Sequence, residues 1–95
     1  RKEVDINNLL KDVTDTFRLK VETNGGSLKT HLEAADTIVF VDQMHMTNVI
    51  FNLLDNAIKY KSADKKIELT IDSYNKGDKI YISIQDNGIG KEKKI

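Results

Sequence analysis

Two stretches of this chain repeat their apolar residues at helical spacing and others repeat them at every second residue. Such a chain must bury helix stripes against one face of a sheet. Ile6, Leu9, Leu10, Val13, Phe17 and Val21 recur at i, i+3, i+4, i+7, i+11 and i+15, a single stripe along a helix. Asp5 stands where a carboxylate accepts the first orphan N–H groups, and Asn24-Gly25-Gly26 tolerates the left-handed turn that ends such a helix. Leu28, Thr30 and Leu32 alternate with polar neighbours and predict a half-buried strand over Ser27 to Glu33. Ile38-Val39-Phe40-Val41 is too short for a helix and rich in strand formers. Asp42 caps a second helix running to about Tyr60. Ile67, Leu69 and Ile71 then form one apolar face and Ile80, Ile82 and Ile84 another, joined by a hairpin loop at Tyr74-Asn75-Lys76-Gly77-Asp78. The expected fold is α+β: a two-layer α/β sandwich with both helices on one face of a mostly antiparallel sheet.

Composition narrows the chemistry. The 95 residues suit one small domain, read as 1–95. Fifteen basic residues balance fifteen acidic ones, so no overall positive field favours nucleic acid, and none is expected as a partner. Cysteine is absent, which excludes thiol catalysis, disulfides and cysteine zinc sites together. Two histidines, His31 and His45, do not make a metal cluster by themselves. The longest apolar run is four residues, against roughly 20 for a membrane-spanning helix. The chain opens at Arg1 and closes at Lys-Lys-Ile, which reads as a piece of something longer.

The second helix carries two distinct faces. At about 100° per residue, Met46, Ile50, Leu53, Leu54 and Ala57 share the packing side, while Asn52, Asn56, Lys59 and Tyr60 share a neighbouring side. Asparagine is a mediocre helix former, and two of them at i, i+4 gain nothing from propensity. A solvated face would more cheaply carry Glu and Lys. The alternatives are a polar site beside the core or a plain solvated face.

The strand from Ile80 ends in Asp86-Asn87-Gly88-Ile89-Gly90. Asp86 has the parity of Ile80, Ile82 and Ile84, so its carboxylate points toward the helix layer. A charge there is costly unless a partner meets it. Gly88 and Gly90 free the backbone to turn and to approach a ligand closely. Asp86 could accept a hydrogen bond from an exocyclic amino group, which discriminates against bases lacking that donor. Alone, the string is also ordinary turn chemistry. It is not a P-loop, because Gly90-Lys91 precedes Glu92 and the upstream glycine is missing. A dinucleotide fingerprint would need a third glycine and a following helix, and a calcium loop would need alternating oxygen ligands.

Taken together, Asn52-Leu53-Leu54-Asp55-Asn56-Ala57-Ile58-Lys59-Tyr60 and Asp86-Asn87-Gly88-Ile89-Gly90 resemble the N box and first glycine box of sensor histidine kinases. Val4-Asp5-Ile6-Asn7-Asn8-Leu9-Leu10 and Val41-Asp42 resemble the usual approach to their ATP-binding domain. The resemblance implies a Bergerat-type ATP-binding fold of the GHKL superfamily, with ATP and Mg as cofactors. By it, Asn56 would coordinate Mg²⁺, Asn52 would support metal and phosphates as the catalytic amide, and Lys59 would neutralise phosphate oxygens. Tyr60 would lie against the nucleotide, Asp86 would bind the adenine amino group, Ile89 would contact the base, and Gly88 and Gly90 would open a lid. ATP-hydrolysing relatives carry a glutamate at the Asn52 position. An amide cannot serve as general base on water, so Asn52 favours phosphoryl transfer over hydrolysis.

The implied parent autophosphorylates a histidine on a helical-hairpin domain and signals to a response regulator, from a cytoplasmic domain whose parent is either membrane-anchored or not. The alternatives are a non-catalytic dimerisation or docking module on the same fold, or a GHKL-type ATP hydrolase. The family continues past its first glycine box with a lid, a second glycine box and further sheet, whereas only Lys91 to Ile95 follow here. The fold is therefore expected to be incomplete at the C-terminus and to hold triphosphate poorly. Lys91-Glu92-Lys93-Lys94 reads as a frayed end. The Lys79 to Asp86 strand then becomes an open edge that invites a homodimer or swapped assembly. His31 and His45 lack the flanking pattern of an acceptor histidine and read as surface residues. Asp55 lies off the asparagine row, in solvent or paired with a nearby lysine, and Met44 and Met46 read as gap-fillers or surface.

Overall fold

The structure, a computed structural model, describes residues 1–59, 66–87 and 89–95, with the backbone alone for 89–93. Its elements run β1 (Lys2–Asp5), α1 (Ile6–Thr23), β2 (Ser27–Leu32), β3 (Ile38–Val41), α2 (Gln43–Lys59), β4 (Glu68–Lys76), β5 (Lys79–Asp86) and β6 (Ile89–Lys94). The main sheet has the order β2-β4-β5-β6, and β1 pairs with β3 in a separate two-stranded sheet. β2 runs parallel to β4, while β4, β5 and β6 are antiparallel in turn. The expected α+β sandwich is what forms.

Local signals set the helix ends. The Asp5 carboxylate accepts the N–H groups of Asn7 at 3.0 Å and Asn8 at 3.3 Å, satisfying two of the donors that a helix start leaves orphaned. At the other end, Gly26 N–H donates to the Val21 carbonyl and Gly25 N–H to that of Glu22, both at 3.0 Å. With Gly25 at φ +80°, this is a Schellman stop. Gly26 has a different reason to be glycine, since a Cβ there would lie 2.5 Å from the Ile67 carbonyl oxygen. That close approach lets Ser27 N–H bond to Ile67 O at 2.8 Å and set the start of the β2–β4 pairing.

One core joins the layers. Ile6, Leu10, Val21, Ile50, Leu54, Ile67, Leu69, Ile71 and Ile82 are all within 2% of complete burial. Every apolar position expected on the faces of β4 and β5 is inside. Between β4 and β5 the register closes at Lys76↔Lys79, leaving Gly77-Asp78 as the whole loop. Positive φ at Gly77 (65°) suits the first position of a type II′ turn. The strands thus run further into the expected loop than the sequence suggests.

Two expectations are corrected. The segment Lys91 to Lys94 is not a frayed end but part of β6, with Asp86↔Ile89, Ile84↔Lys91 and Ile82↔Lys93 in register. β5 is therefore an inner strand, not an open edge. The reason is the turn: Asn87 takes up φ 53° and sends the chain back along β5, whose outward N–H and C=O groups pair with β6. The homodimer expected from that edge loses its physical ground. β1, absent from the expected strands, forms because β3 offers it a partner, with Val4 opposite Val39.

Candidate functional site

α2 begins where the sequence places it. Asp42 Oδ1 accepts the His45 N–H at 3.1 Å, and the Asp42 carbonyl accepts the Met46 N–H at 3.0 Å. Accepting the His45 N–H holds the Asp42 carboxyl below the usual carboxylate range, against a smaller opposing effect of desolvation. From there Met46, Ile50 and Leu54 are buried, and Leu53, Ala57 and Ile58 are half-buried against the core. Asn52, Asn56 and Lys59 are exposed. The helix thus presents two amides and an ammonium, at i, i+4 and i+7, outside its packing stripe. Lys59 has no ion pair among the described residues.

Asp86 closes β5 with its Cα opposite Leu69 on one side and Ile89 on the other. Directly opposed residues share a sheet face, and Leu69 is 1% exposed, so the carboxylate stands on the core side as its parity predicts. Its Oδ1 is shut off from solvent and has no hydrogen-bond partner among the described residues. Beyond it Asn87 anchors the turn: its N–H donates to Glu68 O at 3.0 Å and its Nδ2 to Lys66 O at 3.4 Å.

The candidate residues fall into two groups on packed elements. Asn52, Asn56 and Lys59 line α2. Asp86 ends β5, with Ile89 and Gly90 beside it on β6, opposite Asp86 and Gln85. α2 packs on β5. Tyr60 and Gly88 lie outside the described residues. Two open cavities among the described residues lie elsewhere. One of about 540 Å³ is bordered by Arg1, Asp42, Met44 and Asn48; the other, about 160 Å³, lies between Leu9, Val13, Thr16 and Phe51.

Neighbouring residues are mostly as read. Asp55 pairs with Lys20 of α1 at 3.5 Å, a partner that no local spacing identifies. His31 Nδ1 lies 3.1 Å from Asp72 Oδ1 on the polar face of the sheet, and His45 is exposed. Met46 is buried and Met44 is exposed. Among the described residues no three His, Cys, Asp or Glu side chains could together hold a metal ion. No helix of the described residues is long and apolar enough to cross a membrane.

The family described as histidine kinase-, DNA gyrase B-, and HSP90-like ATPase matches residues 41–95. The chain belongs to this ATPase family. The match takes in both boxes, from Asn52 to Tyr60 and from Asp86 to Gly90. Sensor protein RprX of Bacteroides fragilis (strain YCH46) is 50% identical over 92 residues, which is 97% of this chain and 18% of that protein. Sensor histidine kinase WalK of Bacillus subtilis (strain 168) is 30% identical over 94 residues, 99% of this chain and 15% of that one. The chain thus spans less than a fifth of either relative. Among solved structures, the catalytic domain of histidine kinase ThkA superposes with a TM-score of 0.79 at 23% identity, over 92% of this chain and 58% of that domain. ThkA in complex with response regulator protein TrrA matches at 0.77 and 22% identity, over 90% of this chain and 25% of that one. The ATPase-family fold is that of histidine kinase catalytic domains, as the two boxes imply.

Proposed function

We propose that residues 1–95 are the N-terminal part of the ATP-binding domain of a sensor histidine kinase. The observation that carries this reading is the buried Oδ1 of Asp86, which has no hydrogen-bond partner among the described residues. An unsatisfied acceptor in the core costs about 1–3 kcal/mol, and a purine amino group supplies the missing donor. The residues present fit a magnesium nucleotide. Asp86 would hold the base, with Ile89 against it and Gly88 and Gly90 leaving room for the backbone to close. Asn56 would offer its side-chain carbonyl to Mg²⁺, Asn52 would support the metal and the phosphates, and Lys59 would meet phosphate oxygens, with Tyr60 beside the nucleotide. ATP supplies the phosphoryl group when bound.

With an amide rather than a carboxylate at position 52, the chain offers no general base to water there. That favours transfer of the γ-phosphate to a protein histidine over hydrolysis. The acceptor would be a histidine on a helical-hairpin domain of the same protein, and the onward partner a response regulator. Similarity to RprX and WalK supports that assignment, as does the solved pairing of ThkA with TrrA. Such a domain would work on the cytoplasmic side, where ATP is available.

Titration with Mg-ADP, followed by backbone amide NMR, tests the reading. We expect shifts at Asp86 to Gly90 and along Asn52 to Lys59, and their loss in a folded Asp86→Ala variant. A folded wild-type chain that shows no shifts would overturn it and favour the docking-module alternative.

A further inference from the structure

Asp55 sits four residues before Lys59 on α2, the spacing and order in which an acidic and a basic side chain pair most readily on a helix. The structure pairs it otherwise. Its Oδ1 meets Lys20 Nζ of α1 at 3.5 Å, with the two side chains 42% and 55% exposed. The Lys20 ammonium also lies 5.9 Å from the centre of the Phe17 ring. Phe17 in turn packs on Phe51 of α2 with ring centres 5.0 Å apart. Phe51 and Asp55, one helical turn apart, are thus both met from α1, and Lys59 is left exposed without an ion pair among the described residues.

We infer that Lys20 is a positioning residue for anion binding by α2: it occupies Asp55 and so keeps the Lys59 ammonium free for phosphate. This rests on the proposed nucleotide site and adds a residue from α1 to it. The logic is competition for one carboxylate. With Lys20 present, Asp55 is neutralised across the helix pair. Without it, the same carboxylate turns to Lys59 along its own helix and draws the positive charge away from the phosphates.

The test compares Mg-ADP with adenosine, which has the base but no phosphate. Binding of each to the 95-residue chain is measured for wild type, Lys20→Met, Lys20→Arg, Asp55→Asn and the Lys20→Met/Asp55→Asn double variant. Lys20→Met should weaken Mg-ADP by about two- to fivefold at low salt, the scale of one exposed ion pair. The deficit should shrink as salt screens the charges. Lys20→Arg and Asp55→Asn should bind like wild type, and the double variant should recover because no carboxylate remains to capture Lys59. Adenosine affinity should be unchanged throughout. A double variant as weak as Lys20→Met, or an equal loss for adenosine, would show a merely structural role and overturn the inference. Wild type binding Mg-ADP with Lys20→Met indifferent sinks this inference alone. A folded wild type that binds no Mg-ADP sinks both it and the nucleotide site.

Discussion

The Ser73 hydroxyl donates to the Asn7 side-chain carbonyl over 2.6 Å, although 66 residues of chain separate the two. Asn7 Nδ2 in turn donates to the Ala34 carbonyl at 3.1 Å and approaches that of Leu32 at 3.4 Å. The Ser73 oxygen also accepts the Ala34 N–H at 3.3 Å. One small polar cluster therefore ties the first turn of α1, the end of β2 and the middle of β4. Ser73 is 1% exposed, so water does not replace a lost partner.

Ser73→Ala should accordingly destabilise the chain by about 1–3 kcal/mol, the cost of leaving buried polar groups unpaired. Urea unfolding followed by circular dichroism checks this. A midpoint unchanged from wild type would mean that Asn7 and Ala34 find other partners.

Thr14 presents the opposite case. It is 1% exposed, and its hydroxyl has no hydrogen-bond partner among the described residues. Valine has nearly the same shape, is likewise β-branched and differs little in helix propensity. Thr14→Val removes the orphaned group without opening a cavity and should raise stability by about 1 kcal/mol. The melting temperature should rise, and the Mg-ADP response should be unaltered. A lower melting temperature would show that the hydroxyl is satisfied in solution.

What the sequence discloses is what acts over a few residues. The Asp5 and Asp42 caps, the Asn24-Gly25-Gly26 stop and the burial of Ile80, Ile82 and Ile84 follow from periodicity and end chemistry. The amide row on α2 follows too, because helical angle alone puts Asn52 and Asn56 together. The sheet-side direction of Asp86 follows from strand parity. β6 does not: Lys91-Glu92-Lys93-Lys94 has little strand preference of its own, and only the Asn87 turn and the waiting edge of β5 make it one. The Ser73–Asn7 bond and the Lys20–Asp55 pair are equally hidden. Each joins residues whose proximity exists only once the chain has packed, and no local pattern marks either partner.

Asp42 makes the stability of α2 depend on pH. Its carboxylate, accepting the His45 N–H, titrates below its ordinary value in the folded chain, which is about 3.9 when unfolded. A group whose folded pKa is depressed binds fewer protons folded than unfolded. Its contribution is therefore complete above the unfolded value and is lost as pH falls through the lower, folded one. Asp42→Asn keeps an oxygen that can cap the helix but removes the titration. We expect the variant to match wild type near neutrality and to lose stability less steeply below about pH 4, the unfolded value just given. Asp42→Ala, which lacks the cap altogether, should be weaker at every pH above that point. Urea midpoints across an acid series would decide the matter. Parallel wild-type and Asp42→Asn profiles would show that the carboxylate charge contributes nothing beyond its hydrogen bond.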